Sequence, residues 1–528
     1  MSNLGVPLLL LAAVSLALPA AAPAAGGGRV AEIRIADDRG DHGPPNPFRH
    51  YPRGSGYVRM SWVFDTLVWK DEGGQFVPAL ARSWSYDGAK RAYTFQLDPR
   101  ARWHDDRPLT AEDVAFTLAY LREHPYPWVS LDAVDRAEVA GPHAVTVYLA
   151  RPYAPFLAEI GGTLPILPRH IWAPVENPQA FDGPSAFVGS GPYRFRHFDP
   201  TQGTYLYEAF ADYYQGRPRA DRLIYFRSTN PLVSLSSGQA DLAQIQADLA
   251  EPLRRQGLTV LEDERSWVRK LMINHTRAPF DQRDFRRALA HALDREELIA
   301  KGQRGFASPA GCGLLSPDHP LYNPAAPAYP HDPARARALL AGLGYRPDDQ
   351  GFFHKDGRSL QVELLASSIT VSGGAGSDRD GAILKKQLEA VGIRVRALAL
   401  EPTTADQRVR SFDFELAISG HGGISGDPRG LNELILPAAG SVNSSHYDRS
   451  PELNQLLAAQ LAEMDPAKRV ALVHRIQELV AEELPAIPLY YPAAMTAFRP
   501  AKGIRWFYTP GGLARGVPIA QNKLALLP

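Results

Sequence analysis

The chain has 528 residues, with 57 Lys plus Arg against 57 Asp plus Glu, so its formal net charge is zero. That balance argues against a nucleic-acid surface, which needs a basic excess. Hydrophobic residues at 45% and charged residues at 22% describe an ordinary globular protein, and the length asks for several domain-sized units rather than one core.

Leu4 to Leu18 is an apolar run followed by "PAAAPAAGGG". This is the apolar segment and small-residue cleavage zone of a secretory signal peptide over residues 1–25, with the cut near Ala24 or Ala25, although "MSN" before it carries no Lys or Arg. Cys312 is the single cysteine, so no intramolecular disulfide can form, and no cysteine follows the apolar run to take a lipid anchor. No later stretch approaches eighteen apolar residues. The expectation is an exported, soluble, monomeric protein of a bacterial periplasm.

Short β-rich runs bounded by turn formers then recur at 31–36, 91–97, 144–149, 204–210, 360–366 and 414–419. Helices stand between them. Thr110 and Asp113 have capping-box spacing ahead of Val114, Leu118 and Leu121. Phe285, Leu289, Ala292 and Leu293 share one face of a helix, and Asp294 with Glu297 caps the next. Ser450-Pro451 and Asp465-Pro466 pair a capping side chain with proline at the first helical position, and a helix follows each. The order is mixed, an α/β or α+β protein of several domains.

One segment stands out for its chemistry. "ISGHGGISGDP" (418–428) holds four glycines with a histidine and an aspartate. Read as a strand-to-helix loop, it offers backbone amides to a ligand. It misses the dinucleotide fingerprint by one residue and lacks the Gly-Lys-Ser/Thr ending of a P-loop. His421-Gly422-Gly423 resembles an oxyanion loop, but no G-x-S-x-G nucleophile exists, which leaves a secreted hydrolase without its machinery. The fifteen histidines are scattered, with no H-E-x-x-H or H-x-H. A site assembled from distant histidines such as His421 and His446 stays open. No cofactor is implied, and a binding site fits better than a reacting one.

Several separated stretches, in order, carry a resemblance. Pro78 to Ala81, Trp84, Asp87-Gly88, Trp103-His104-Asp105 and Thr110 to Val114 resemble the opening of the family 5 extracellular solute-binding proteins, with Asp106 in place of the usual glycine. "GSGPYRF" (189–195), "LSSGQADLA" (235–243) and "INHTRAPFDQRDFRRALAHALDREELI" (273–299) are similar to later motifs of that family. These are the dipeptide, oligopeptide and nickel receptors of ABC importers.

The resemblance implies an α/β, two-lobed periplasmic-binding-protein clamp with an extra subdomain in the first lobe (type II, cluster C-like). Lobe I would span 26–270, with the subdomain at about 72–186, lobe II 271–489, and 490–528 would return to lobe I. The implied partners are a small solute, peptide first and a metal chelate next, and an ABC permease at the inner membrane. In the peptide receptors the glycine loop carries an aspartate for the ligand's α-amine, and that position here is Ile424. Either Asp427 takes over or the ligand has no free amine there; alternatively Asp427 is a helix cap. His421 stands where relatives often have tryptophan, Gly422 and Gly423 would let backbone approach the ligand, and His446 matches a cleft histidine of the nickel receptors. Arg53 and Tyr57 fall where relatives line the cleft, suited to holding or stacking on a ligand carboxylate.

Overall fold

The computed structural model describes residues 28–263, 265–366, 379–438 and 441–528; the expected leader, 1–25, lies outside them. Two sheets organise the chain. The first has seven strands in the order Thr259–Asp263, Ala494–Phe498, Leu242–Ile245, Val30–Asp37, Ala220–Arg227, Thr204–Ala209 and Tyr193–Asp199. Val30–Asp37 runs parallel to both of its neighbours. Its alternation buries Ile33 and Ile35 at 1% exposure each, on a core that also holds Tyr205, Tyr207, Tyr225 and the indoles of Trp62, Trp103, Trp172 and Trp506.

A four-stranded antiparallel sheet, built from Ala81–Asp87, Ala92–Leu97, Val134–Gly141 and Ala144–Leu149, is inserted into this lobe with the helix Ala111–Glu123. The helix starts as its spacing demands, the Thr110 amide donating to Asp113 Oδ2 at 2.9 Å.

The second sheet has six strands in the order Ala307–Pro309, Ala486–Pro492, Trp267–Ile273, Leu416–Gly422, Gln361–Leu365 and Arg394–Leu398. Trp267–Ile273 is buried at every position because helices cover both faces. Leu271 and Ile273 pack with Phe285, Leu289, Leu384 and Leu388. Val268, on the other face, packs with Ile424, Leu431, Leu453 and Val473. The late helices Pro451–Ala462 and Pro466–Glu483 carry the caps read from sequence: Ser450 Oγ accepts from the Leu453 amide at 3.3 Å, and Asp465 Oδ1 from the Ala467 amide at 2.9 Å.

The chain passes from the first sheet to the second between Asp263 and Trp267, and returns at Ala493. Two adjacent crossings of this kind join two lobes side by side.

One expected element is corrected. The strand read at 414–419 runs from Leu416 to Gly422, so Gly420 and Gly422 belong to a ladder and not to a loop. They pair with Arg269 and Trp267 respectively. The helix after the segment is Gly430–Ile435 and begins beyond Asp427-Pro428.

Candidate functional site

Between the lobes, beside both crossings, lies a cavity of about 920 Å³. Its first-lobe wall includes Asp37, Arg59, Asp248 and Gln521, and its second-lobe wall Trp267, Arg269, Gln303, Arg304 and Asp380. Asp37 ends the strand Val30–Asp37, and Arg59 sits one helical turn after Ser55 on Gly54–Ser61, so both helix residues face the cavity. Arg59, 2% exposed, donates from Nη2 to Asp37 Oδ2 at 2.8 Å and lies over the Tyr225 ring at 4.2 Å. Burial acts to raise the Asp37 pKa, but Arg59 and His42, whose Nε2 is 3.0 Å from Oδ1, hold it below the ordinary carboxylate range.

Across the cavity, Asp380 accepts from the Tyr490 hydroxyl, Gln303 donates to that same hydroxyl at 2.8 Å, and Arg269 Nε stands 3.8 Å from Asp380 Oδ2. Burial raises the Asp380 pKa. Arg304 and Asp248 pair directly from one lobe to the other. The walls thus carry charges of both signs beside uncharged amides.

The glycine segment sits behind Trp267, not on the cavity. A Cβ on Gly420 would fall 2.4 Å from Trp267 Nε1, and one on Gly422 3.3 Å from its ring. The two bare positions therefore seat the indole whose other side lines the cavity. Gly423, at φ +82°, meets a second glycine-rich segment from the first lobe: a Cβ on Gly423 would lie 2.9 Å from the Arg515 carbonyl oxygen, and one on Gly516 2.4 Å from Gly423 Cα. These glycines let the backbones of the two lobes touch. Gly420→Ala is expected to lower stability by about 1–3 kcal/mol through overpacking on Trp267, measured by chemical denaturation.

The other residues singled out from sequence are dispersed. Ile424 is 2% exposed and packs with Leu431, Leu434 and Tyr447, so the position of the relatives' aspartate faces apolar core. Asp427 forms a two-point ion pair with Arg469, at 2.9 and 2.7 Å, and accepts from the Arg429 amide at 2.9 Å. Tyr57 is fully buried on the far side of its helix from Ser55 and Arg59, donating to the Thr163 carbonyl at 3.0 Å. Arg53 reaches over the cleft to Asp406, 3.6 Å away in the helix Pro402–Arg410. His421 is half-buried; burial and then Lys270 lower its pKa to about 3, so its ring is neutral. His446 lies edge-on to Phe412, ring centroids 4.1 Å apart.

Sequence reading missed Arg59, Arg269 and Asp380. A signal existed for one of them: "WVRKLMI" sets two adjacent cations inside an apolar strand, which is costly unless each has a job.

An ionic square also bridges the lobes. Glu159, 6% exposed in the first lobe, lies 3.1 Å from both Arg429 and Arg515, and Glu433 pairs with the same two arginines. Burial works against ionisation, yet Arg515 and Arg429 hold the Glu433 pKa to about 2. Glu159→Gln leaves two guanidinium groups sharing one carboxylate, a penalty that opening relieves by letting water in. Expected are a larger radius of gyration by small-angle scattering and an apparent affinity for whatever ligand the cavity takes weaker by about tenfold, a loss of roughly 1.4 kcal/mol.

The family described as bacterial extracellular solute-binding proteins, family 5 Middle, matches residues 75–442. The chain belongs to this family. A relative, the probable di/tripeptide-binding protein 5 of Pseudomonas aeruginosa, is 26% identical over 474 residues, covering 83% of this chain and 86% of its own. Among solved structures, NikA from Brucella suis in complex with Fe(III)-EDTA is similar with a TM-score of 0.78 at 22% identity, covering 93% of this chain and 100% of that one. The oligopeptide-binding protein AppA from Bacillus subtilis, in complex with a nonapeptide, is similar with a TM-score of 0.76 at 20% identity, covering 95% and 100%. The two-lobed α/β architecture of this family 5 chain is theirs.

Proposed function

We propose that this chain is the solute receptor of an ABC importer, acting outside the cytoplasmic membrane, and that it captures a short peptide or a peptide-like zwitterion between its lobes for delivery to the permease. The observation that carries this is the interlobe cavity, whose two walls present arginines and aspartates together with side-chain amides. A short peptide has the matching inventory: a cationic and an anionic end, with amides between. Peptide-binding relatives support the reading. We place the hinge at the two crossings, at Asp263 with 265–267 and at Ala493, because closure there brings both walls onto one solute.

Burial of Ile424 in apolar core moves the α-amine partner away from that position. Asp427 lies off the cavity in its pair with Arg469, whereas Asp37 and Asp380, though held by Arg59 and Tyr490, line the cavity and are the carboxylates a cationic end meets there. A chelated metal is the second reading, since arginines in the cleft suit the carboxylates of a chelator as well as those of a peptide.

Native mass spectrometry of protein gently extracted from its own periplasm tests both. A ladder of adducts at peptide masses is the expected result. One sharp adduct that disappears with chelator overturns the peptide reading in favour of the metal complex.

A further inference from the structure

Lys270 is the least explained charge in the molecule. It sits mid-strand in Trp267–Ile273 at 0% exposure. Among the described residues its one hydrogen bond runs from Nζ to the Asn443 carbonyl, at 2.6 Å, and no carboxylate pairs with it. An ammonium has three donors, so two are unused. Burying such a group unpaired costs several kcal/mol, roughly, which a fold does not accept without return.

Its surroundings share the same incompleteness. Ser419 is the ladder partner of Lys270, and His421, two residues further on, projects from the same face. The Nδ1 atom of His421 is enclosed without a partner among the described residues. So are Ser445 Oγ and His446 Nε2, on the loop that supplies Asn443. The charges felt at His421 are those of Lys270, Glu433, Arg515 and Arg53. Glu433 is committed to Arg429 and Arg515, so it does not neutralise Lys270. Arg53 comes from the first lobe and pairs over the cleft with Asp406, so charges from both lobes act at His421.

We propose that Lys270, with the imidazole of His421 on the same sheet face, forms an anion subsite on the second lobe that takes a carboxylate or phosphate group and is separate from the cavity on the other side of Trp267. An ammonium and adjacent neutral donors are the chemistry that recognises such a group. The proposal rests on the reading of the chain as a solute receptor, and its test is scored without any peptide.

The full mature chain, freed of cargo by unfolding and refolding, is titrated at constant ionic strength with glutarate and, separately, with inorganic phosphate, following the melting temperature. The expected result is a saturable rise of several degrees with at least one anion, and a response weakened about tenfold or more in Lys270→Met and Lys270→Gln. Response to glutarate alone assigns a carboxylate, and to phosphate alone a phosphate. Two results overturn the proposal: no response in the unmodified chain, or an undiminished response in a variant that folds, which would send the anion to the arginines of the cavity. Failure of peptides to bind the unmodified chain counts against the cargo reading and leaves the anion titration to decide the subsite.

Discussion

Asp427→Ala is expected to cost about 3–5 kcal/mol of stability, the usual penalty for stranding one half of a buried ion pair. The Asp427 and Arg469 side chains are only 14% and 12% exposed, and both carboxylate oxygens are engaged by the guanidinium. Arg469 also donates to the Gln460 carbonyl at 3.0 Å, so the pair ties the turn before Gly430–Ile435 to both late helices. Deleting the carboxylate leaves a cation in a poorly hydrated place and takes the acceptor from the Arg429 amide. Arg469→Ala is expected to cost a similar amount. The double variant is expected to cost clearly less than the sum, because it strands neither charge. Urea denaturation of the four proteins measures the cycle. Asp427→Asn, which keeps the shape, provides the functional control. Its affinities for free and N-acetylated peptides are expected to fall together, if at all. A selective loss of the free-amine ligand, a hundredfold or so, would make Asp427 the amine partner after all.

The contrast between Asp427 and its surroundings shows which information a sequence carries locally. Strands at 144–149 and 204–210, and the caps at Ser450 and Asp465, were readable because period and capping involve neighbours within four residues. The partner of Asp427 is 42 residues away, so pairing could not be told from capping. Phase on a helix was a finer failure. The chemistry of Tyr57 suits a ligand, but the face carrying Ser55 and Arg59 points at the cavity, and Tyr57, two residues from each, points into core. The glycine segment shows a third kind of limit. Glycines read as loop by propensity, yet Gly420 and Gly422 are strand because Trp267, more than 150 residues earlier, needs bare backbone to lie on. The change at Ile424 was legible as a departure from the peptide receptors, and its packing with Leu431 and Leu434 gives that departure a physical meaning. The family was legible because it rests on many motifs in order, which no single contact decides.

Lys270→Met is expected to make the unliganded protein more stable, by an amount that depends on pH. Burial lowers the Lys270 pKa from 10.5 to about 7. Above pH 10.5 the amine is neutral in folded and unfolded chains alike, and the lysine carries no penalty. Between 10.5 and 7 the unfolded chain binds a proton that the folded chain refuses, so stability falls as pH falls. Below 7 both states are protonated and the penalty stays at its full value. Each pKa unit is worth about 1.4 kcal/mol, so the full penalty is on the order of 3–5 kcal/mol. Methionine fills the same space without a charge and adapts to its shape. The stability difference between variant and unmodified chain is therefore expected to be near zero at pH 10.5, to grow on the way to neutrality and to level off below pH 7. Chemical denaturation at four or five pH values traces that curve; a difference that stays flat across the range would mean that Lys270 keeps an ordinary pKa and is hydrated. The same curve bears on the anion subsite. A bound carboxylate or phosphate neutralises the ammonium and raises its pKa, so saturating anion is expected to shrink the advantage of Lys270→Met at pH 7 and leave it unchanged at pH 10.5. A receptor that is less stable empty than its own variant, and recovers the difference on binding, has kept the lysine for its ligand.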